Sequence, residues 1–339
     1  MLTEIKINNI TAFDNIEVKL SKGVNVFIGA NGTGKTHLMK LLYASMLMAD
    51  SSYALQKTME QTLYGLFLPD SLGRLVRRSV GRGKGEFYVY RQDDDNDIVR
   101  TIRCELTSLN HSKIFNAKTW AKKQSYNVVY IPVKDMLANS VGFNSLYEKR
   151  ELYFESIYPD IVRLALLPAV KGRATKEKTK LLDTIQNIID GRVVKKNEKF
   201  YLVNAQGNLE FTLLAEGYRK LGLLYSLIQN ESISSGSILF WDEPETNLNP
   251  KLTQQLIQII LELQRMGTQV FISTHDYVFL KELEMSKQTE DAVLYHSLYK
   301  QNDTIECQTV ENLNEITYNA INDVFDSFVA RTFELEWED

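Results

Sequence analysis

GVNVFIGANGTGKT, residues 23–36, decides the fold of this chain. Val24, Val26 and Ile28 alternate with Asn25 and Phe27 as a short buried strand would. Gly29, four further residues, Gly34, Lys35 and Thr36 then complete the spacing G-x-x-x-x-G-K-[ST] of a phosphate-binding loop. Each residue type answers a separate need. The glycines at 29, 32 and 34 let main-chain N–H groups converge on phosphate oxygens without side-chain clash. Lys35 can neutralise charge on the β- and γ-phosphates, and Thr36 offers a hydroxyl to Mg²⁺. Leu38, Leu41 and Leu42 follow at helical spacing, so a bound anion sits at a helix N-terminus. The predicted nucleotide-binding residues here are Gly29, Asn31, Gly32, Gly34, Lys35, Thr36 and His37. The imidazole of His37, like those of His111 and His296, is read as structural.

A second stretch, ILFWDEPETNLNP (238–250), runs four apolar residues into Asp242 and Glu243. An acid at a strand's end can hold Mg²⁺, directly or through water, and so Asp242 joins Thr36 as a predicted metal ligand. Glu243 is placed to orient or deprotonate a water attacking the γ-phosphate. FISTHD (271–276) puts His275 just past another apolar run, where an imidazole can bond the γ-phosphate and that water. Lys35, Glu243 and His275 form the predicted catalytic set.

Composition bounds the rest. The 339 residues are 44% hydrophobic and 24% charged, enough to bury a core, and the net charge of −4 excludes a protein-wide electrostatic hold on nucleic acid. Local basic stretches remain at 74–84 and 171–180; the second reads as solvated helix surface or as a contact surface for a partner or nucleic acid. Cys104 and Cys307 match no metal or redox spacing, as expected of thiols in a reducing compartment. No apolar run reaches the ~18–20 residues of a membrane span, and MLTEIKINNI lacks the layout of a signal peptide. A cytoplasmic location is expected.

Along the chain, 3–9 and 15–20 read as strands of a small β-meander. Phe13 between them suits stacking on adenine and a place in the core equally. Residues 41–68 read as helical, with a stop at Pro69. Strands at 86–92 and 99–106 are joined by an acidic turn, 93–97, that lacks the glycine and final glutamate of a calcium loop and reads as a solvated tip. A strand at 127–131 leads into Lys134 and Asp135. Helices are expected over 136–190, a hairpin at 199–204 and 208–213, and a helix whose first turn carries Ala215, Glu216 and Gly217. Strands at 237–240 and 269–272 flank a helix at 250–265; an edge hairpin and a closing helix at 311–334 complete the chain. Strands alternating with helices predict an α/β fold with a largely parallel sheet.

The phosphate loop, DEPE and STHD together resemble ABC-type ATPases. Through IKINNITAFDN, GANGTGKT, YIPVKDML, LLAEGYRKLG, LFWDEPETNLNP and FISTHD the chain is similar, from residue 5 to 276, to stand-alone AAA family ATPases related to the OLD and Septu PtuA proteins. These belong to the wider group of SMC and RecF-like ATPases. The resemblance implies a P-loop NTPase of ABC type: a mixed sheet with flanking helices, an N-terminal antiparallel β-meander and a helical insertion. It divides the chain into a core (1–135 and 191–300), an insertion (136–190) and a closing segment (301–339). ATP and Mg²⁺ are the implied cofactors, since no guanine-reading N-K-x-D is present.

The same resemblance makes Ala215, Glu216 and Gly217 a degenerate signature motif, offered to ATP on a second subunit. Glu245, Asn247 and Asn249 become the D-loop of a homodimer or higher oligomer. The usual glutamine after the YIP strand is missing, so Lys134, Asp135 or nothing stands in for it. Asp323, Asp326, Glu334 and Glu336 do not form the metal constellation of a Toprim nuclease, and nuclease activity is not expected. The implied function is an ATP-hydrolysing switch governing a separate effector, a nuclease or toxin, in bacterial defence against phages. The alternative is a nucleic-acid-binding repair or recombination ATPase of the RecF/SMC type.

Overall fold

A computed structural model describes the chain except for residues 79–80, 94–97, 122–125, 151, 173, 319–320, 322–330 and 332–339. It opens with β1 (Leu2–Ile10), β2 (Phe13–Lys19) and β3 (Val24–Ile28), then α1 (Lys35–Leu47), α2 (Ser51–Gln56) and α3 (Met59–Phe67). Next come β4 (Lys84–Gln92), β5 (Val99–Thr107), β6 (Ser112–Phe115), α4 (Ala117–Trp120) and β7 (Val128–Ile131). Helices α5 (Phe143–Arg150), α6 (Ile157–Leu166) and α7 (Lys176–Ile189) precede β8 (Arg192–Lys196), β9 (Lys199–Asn204) and β10 (Gly207–Glu210). The last part holds α8 (Glu216–Gln229), β11 (Ile238–Asp242), α9 (Thr253–Arg265), β12 (Gln269–Thr274), α10 (Tyr277–Ser286), β13 (Val293–Gln301) and β14 (Thr304–Val310).

Six strands form the central sheet in the order β14-β13-β3-β12-β11-β7, parallel throughout except for β14 at the edge. Every residue of β3, β7, β11 and β12 is buried, which is why these segments read as unbroken apolar runs covered on both faces. The α/β class with a mixed sheet and flanking helices is therefore as expected. One face of the sheet packs on α6–α10 through residues such as Leu224, Leu239 and Ile260. Ile161, Leu181 and Ile185 from the 136–190 segment share that core. The other face meets α1, α3 and the antiparallel sheet β2-β1-β4-β5-β6.

On that second face a row of rings crosses the sheet, one from each of five adjacent strands. His296 lies 5.0 Å from Phe27, and Phe271 is stacked at 6.4 Å from Phe27 and 4.8 Å from Phe240. Tyr130 closes the row, stacked 6.0 Å from Phe240.

Several expectations are corrected. β1 and β2 pair antiparallel as the expected meander does, but β1 also pairs with β4, so the sheet they open is larger than expected, with five antiparallel strands. The 41–68 stretch is three helices, because Asp50 accepts N–H bonds from Ser52 and Tyr53 and Thr58 forms a capping box with Gln61, each starting a new helix. RVVKK (192–196) is an unforeseen strand, and Phe211–Leu213 is a 3₁₀ turn rather than a strand end. β13 is internal and only β14 lies at the edge. The acidic turn is not all solvated: Asp93 is buried and pairs with Arg100 at 2.6 Å, while 94–97 lie outside the described residues. At the start of the closing helix expected over 311–334, Leu313–Glu315 form a 3₁₀ turn; Ile321 and Arg331 are helical, and most of the remaining stretch lies outside the described residues. Asp323, Asp326, Glu334 and Glu336 fall outside the described residues.

Candidate functional site

The glycine loop links the C-terminal end of β3 to α1. Gly34, the residue before the helix, sits at φ 92°, in the left-handed region, and a Cβ there would come within 2.6 Å of Phe13 Cζ. Only glycine fits on both counts. Phe13 is fully buried beneath the loop, so its ring supports Gly34 and cannot stack on a base; the core alternative for Phe13 holds. No side chain caps α1 and no acid lies in its first turn, which leaves N–H groups free to meet an anion.

Lys35 Nζ donates to the carbonyls of Gly29 (2.6 Å) and Ala30 (3.1 Å). Burial lowers its pKa, against the opposing pull of Glu243, Asp242 and Glu245. Thr36 Oγ1 donates toward Asp242, 3.0 Å from Oδ2 and 3.3 Å from Oδ1. Ser273 Oγ and the Tyr130 hydroxyl also donate to this carboxylate. Burial raises the pKa of Asp242, the three hydroxyls counter it, and Glu243 adds to it. No ion pair reaches Asp242 among the described residues: its hydrogen-bond donors there are neutral hydroxyls, and the Lys35 ammonium acts on it only at longer range.

Glu243 turns the chain at the end of β11 with φ 47°, a left-handed conformation that costs a non-glycine residue about 1–3 kcal/mol. Its surroundings hold it there. The Glu243 N–H donates to Ser273 O (3.1 Å), and the buried Lys220 Nζ donates to the carbonyls of Glu243 (3.3 Å) and Thr246 (2.7 Å). The Glu243 carboxylate meets His275 Nδ1 at 3.0 Å through Oε1 and accepts from Thr246 Oγ1 at 3.1 Å through Oε2. His275 is half exposed, with 49% of its side chain accessible, so its far nitrogen can reach a ligand. A cleft of about 230 Å³ runs between these groups, lined by Asn31, Gly32, the Gly34–His37 stretch, Ala12 and Glu243. His37 rests edge-on against Phe67 at 5.4 Å.

Glu245 is largely buried behind the site. Thr274 Oγ1 donates to its Oε1 at 2.6 Å, and Oε2 is buried without a hydrogen-bond partner. Burial, reinforced by Asp276 and Glu243, pushes its pKa to about 7 despite the Thr274 bond. A carboxyl whose folded pKa exceeds its unfolded one stabilises fully below about pH 4.5 and loses that contribution as pH rises through about 7. Glu245→Gln does not titrate, so its stability relative to wild type should rise by roughly 1–3 kcal/mol between pH 5 and pH 8. Urea midpoints at the two pH values measure this; an equal difference at both would show that Glu245 ionises freely.

Not every predicted residue reaches the cleft. Ala215, Glu216 and Gly217 open α8, but Gly217 packs against the chain's own 247–248 stretch, where a Cβ would come 3.0 Å from Asn247 O. Asn249 caps the short turn before α9, accepting from Lys251 N at 3.0 Å. Asp135 is committed to Arg219, 2.6 Å away on α8, and to Leu137 N, so it tethers the loop after β7 to α8. Tyr130, Ser273 and Lys220 receive no role in the sequence reading, although each lies in a stretch that carries the resemblance, YIPVKDML, FISTHD and LLAEGYRKLG.

A glycine loop at the end of one parallel strand, facing an Asp-Glu pair two strands away, defines a P-loop NTPase fold with its site at the strand ends. The chain belongs to the family described as "AAA domain, putative AbiEii toxin, Type IV TA system", which it matches over residues 24–281. Among solved structures it is similar to an SMC head bound to the C-winged helix domain of ScpA, with TM-score 0.60 and 11% identity over 93% of this chain and 98% of that one. It is also similar to the SMC head domain from Thermotoga maritima, with TM-score 0.53 and 12% identity over 91% and 99% of the two chains. An SMC head with an extended coiled coil, bound to the C-terminal domain of ScpA derived from Pyrococcus furiosus, gives TM-score 0.54 and 10% identity over 91% and 96%. These likenesses establish an SMC-head-like fold. No curated protein sequence matches the chain.

Proposed function

We propose that this protein is an ATP-hydrolysing switch that closes as a dimer around ATP and Mg²⁺ and controls a separate effector protein. The carrying observation is the Glu243–His275 contact of 3.0 Å at the mouth of a cleft floored by Lys35 and Thr36. The loop N–H groups from Gly29 to His37 cradle phosphate, and Lys35 leaves its carbonyls to meet it. Thr36 Oγ1 and Asp242 are hard oxygen donors suited to Mg²⁺, and a carboxylate with no ion pair among the described residues fits a cation there. When bound, Mg²⁺ neutralises phosphate charge. Glu243 takes the proton of the attacking water, and His275 orients that water from the rim.

Gly217 is buried against its own Asn247 and Leu248, while Ala215 and Tyr218 beside it are exposed, and a signature turn of ABC type requires the nucleotide of a second copy. That requirement supports a homodimer as the smallest assembly. The effector in this reading is a distinct polypeptide, a nuclease or toxin, and the resemblance of the sequence motifs to those of the OLD and Septu PtuA ATPases supports a role in cytoplasmic anti-phage defence. One likeness supports a separate partner: SMC heads have been solved with ScpA domains bound. No described helix is long and apolar enough to cross a membrane. Light scattering tests the switch directly. Mass should double with ATP and Mg²⁺ under slow-turnover conditions and return to that of the 39.0 kDa chain with ADP; one mass under both conditions would defeat the dimer.

One observation favours the repair or recombination alternative. Lys176, Thr179, Lys180 and Asn187, with a single acid at Asp183, line an open groove along α7, a surface on which a phosphate backbone could lie. By contrast, Arg77 and Lys84 of the other basic stretch are engaged by Asp14 and Glu105. ATPase stimulation by DNA that fades steeply with salt, and is lost in a Lys176→Glu/Lys180→Glu variant, would establish this reading.

A further inference from the structure

We infer that Tyr130 is a positioning residue that fixes the orientation of the Asp242 carboxylate for its cation. The inference rests on the proposed role of Asp242 as a metal ligand, and it begins in the strand register. Tyr130 on β7 is the parallel partner of Phe240 on β11, and Asp242 lies two residues beyond Phe240. Residues two apart on a strand share a face. A ring stacked on Phe240 therefore projects its hydroxyl along the sheet toward Asp242, and the Tyr130 hydroxyl does lie 3.2 Å from Oδ2.

That ring has little freedom. It is 1% exposed, stacks on Phe240 at 6.0 Å and meets the edge of Tyr43 from α1 at 5.4 Å. Asp242 Oδ2 thus receives a donor from a fixed direction on the β7 side, while Ser273 Oγ of β12 donates to Oδ1 from the opposite neighbouring strand. Two pinned oxygens define the carboxylate plane. Thr36, the remaining donor, lies across both oxygens, 3.0 and 3.3 Å away, on the side where the cation is expected. Mg²⁺ demands near-ideal octahedral geometry, so a carboxylate free to swing about its last torsion binds it less well than one held still. Partners that orient a ligating carboxylate are typically worth 10–100-fold in metal affinity.

Tyr130→Phe removes the hydroxyl and keeps the ring with its stacking partners, which makes it the informative variant. Binding of a fluorescent ATP analogue is followed in EDTA and across a Mg²⁺ titration, and free Mn²⁺ is counted by electron paramagnetic resonance in a parallel titration with ATP. The expected result is a fall of about 10-fold or more in apparent metal affinity, with nucleotide binding in EDTA and the melting midpoint both unchanged. A metal titration that superimposes on wild type overturns the inference, as does an equal loss of nucleotide binding in EDTA. Ser273 pins the other oxygen, so Ser273→Ala should give the same metal-specific shift; it carries the test should Tyr130→Phe not fold. Asp242→Asn separates the two levels of the argument. If that variant binds metal as wild type does, the reading of the site fails. If it loses metal while Tyr130→Phe and Ser273→Ala do not, the positioning role alone fails.

Discussion

Glu243→Gln should lower steady-state phosphate release by about two to four orders of magnitude while ATP binding persists. Glutamine keeps the size of the side chain and an oxygen to face His275, but an amide cannot accept the proton of the attacking water. The neighbouring contacts do not depend on that proton. Lys220 and Ser273 hold the backbone of residue 243 through main-chain atoms, so the left-handed turn and the D-loop behind it should survive the substitution. The variant therefore separates binding from chemistry. With Mg²⁺ and ATP it should remain as the ATP-bound dimer long after wild type has returned to monomer, visible as a stable doubled mass. Turnover at the wild-type rate would remove Glu243 from its assigned role and shift attention to His275.

Lys35→Ala is the second large effect and acts one step earlier. The ammonium sits within hydrogen-bond reach of two loop carbonyls, Gly29 O and Ala30 O, which mark where it must pivot to meet phosphate. Truncation removes a charge-assisted contact to each of two phosphates, at about 1.5–3 kcal/mol apiece, and leaves two loop carbonyls without their donor. ATP affinity should drop by roughly 100-fold or more. Equilibrium dialysis against labelled ATP measures it, and affinity within a few-fold of wild type would mean that the loop binds phosphate through main-chain groups alone. The burial that depresses the Lys35 pKa should ease once an anion faces the ammonium, so the loss should be as clear at pH 8 as at pH 7.

What could be read in advance follows from the range of each interaction. The phosphate loop, the Asp242–Glu243 pair and His275 were legible because each is a short pattern at the end of an apolar run, and a parallel sheet gathers strand ends at one edge. Phe13 stayed ambiguous because the chain around it says only that an aromatic fits. Its burial under Gly34 is a fact of how the β1–β2 hairpin lies across the loop. Tyr130 and Lys220 were invisible for the same reason: their partners at Asp242, Glu243 and Thr246 are distant in sequence, and neither residue is chemically unusual in its own segment. RVVKK was missed because its basic residues outweighed two valines, although the neighbouring KFYLVN supplied a partner strand. Asp135 was noticed for its place but not its task, since Arg219 lies on a helix whose distance from β7 no local pattern reveals.

The order of the central strands also bears on how the protein is born. β3 leaves the ribosome early, yet its neighbours on either side are β12 and β13. At ~5–20 residues per second, the interval between Ile28 and Val293 is roughly 13–50 s. Until β12 is made, late in that wait, the apolar VNVFI segment has neither edge covered, and one edge stays bare until β13 follows. The first 135 residues consequently cannot mature as a unit of their own, and a chain cut anywhere before β13 lacks the strand that closes the sheet. A holdase that shields residues 24–28 during synthesis should raise the yield of this protein more than one acting after release.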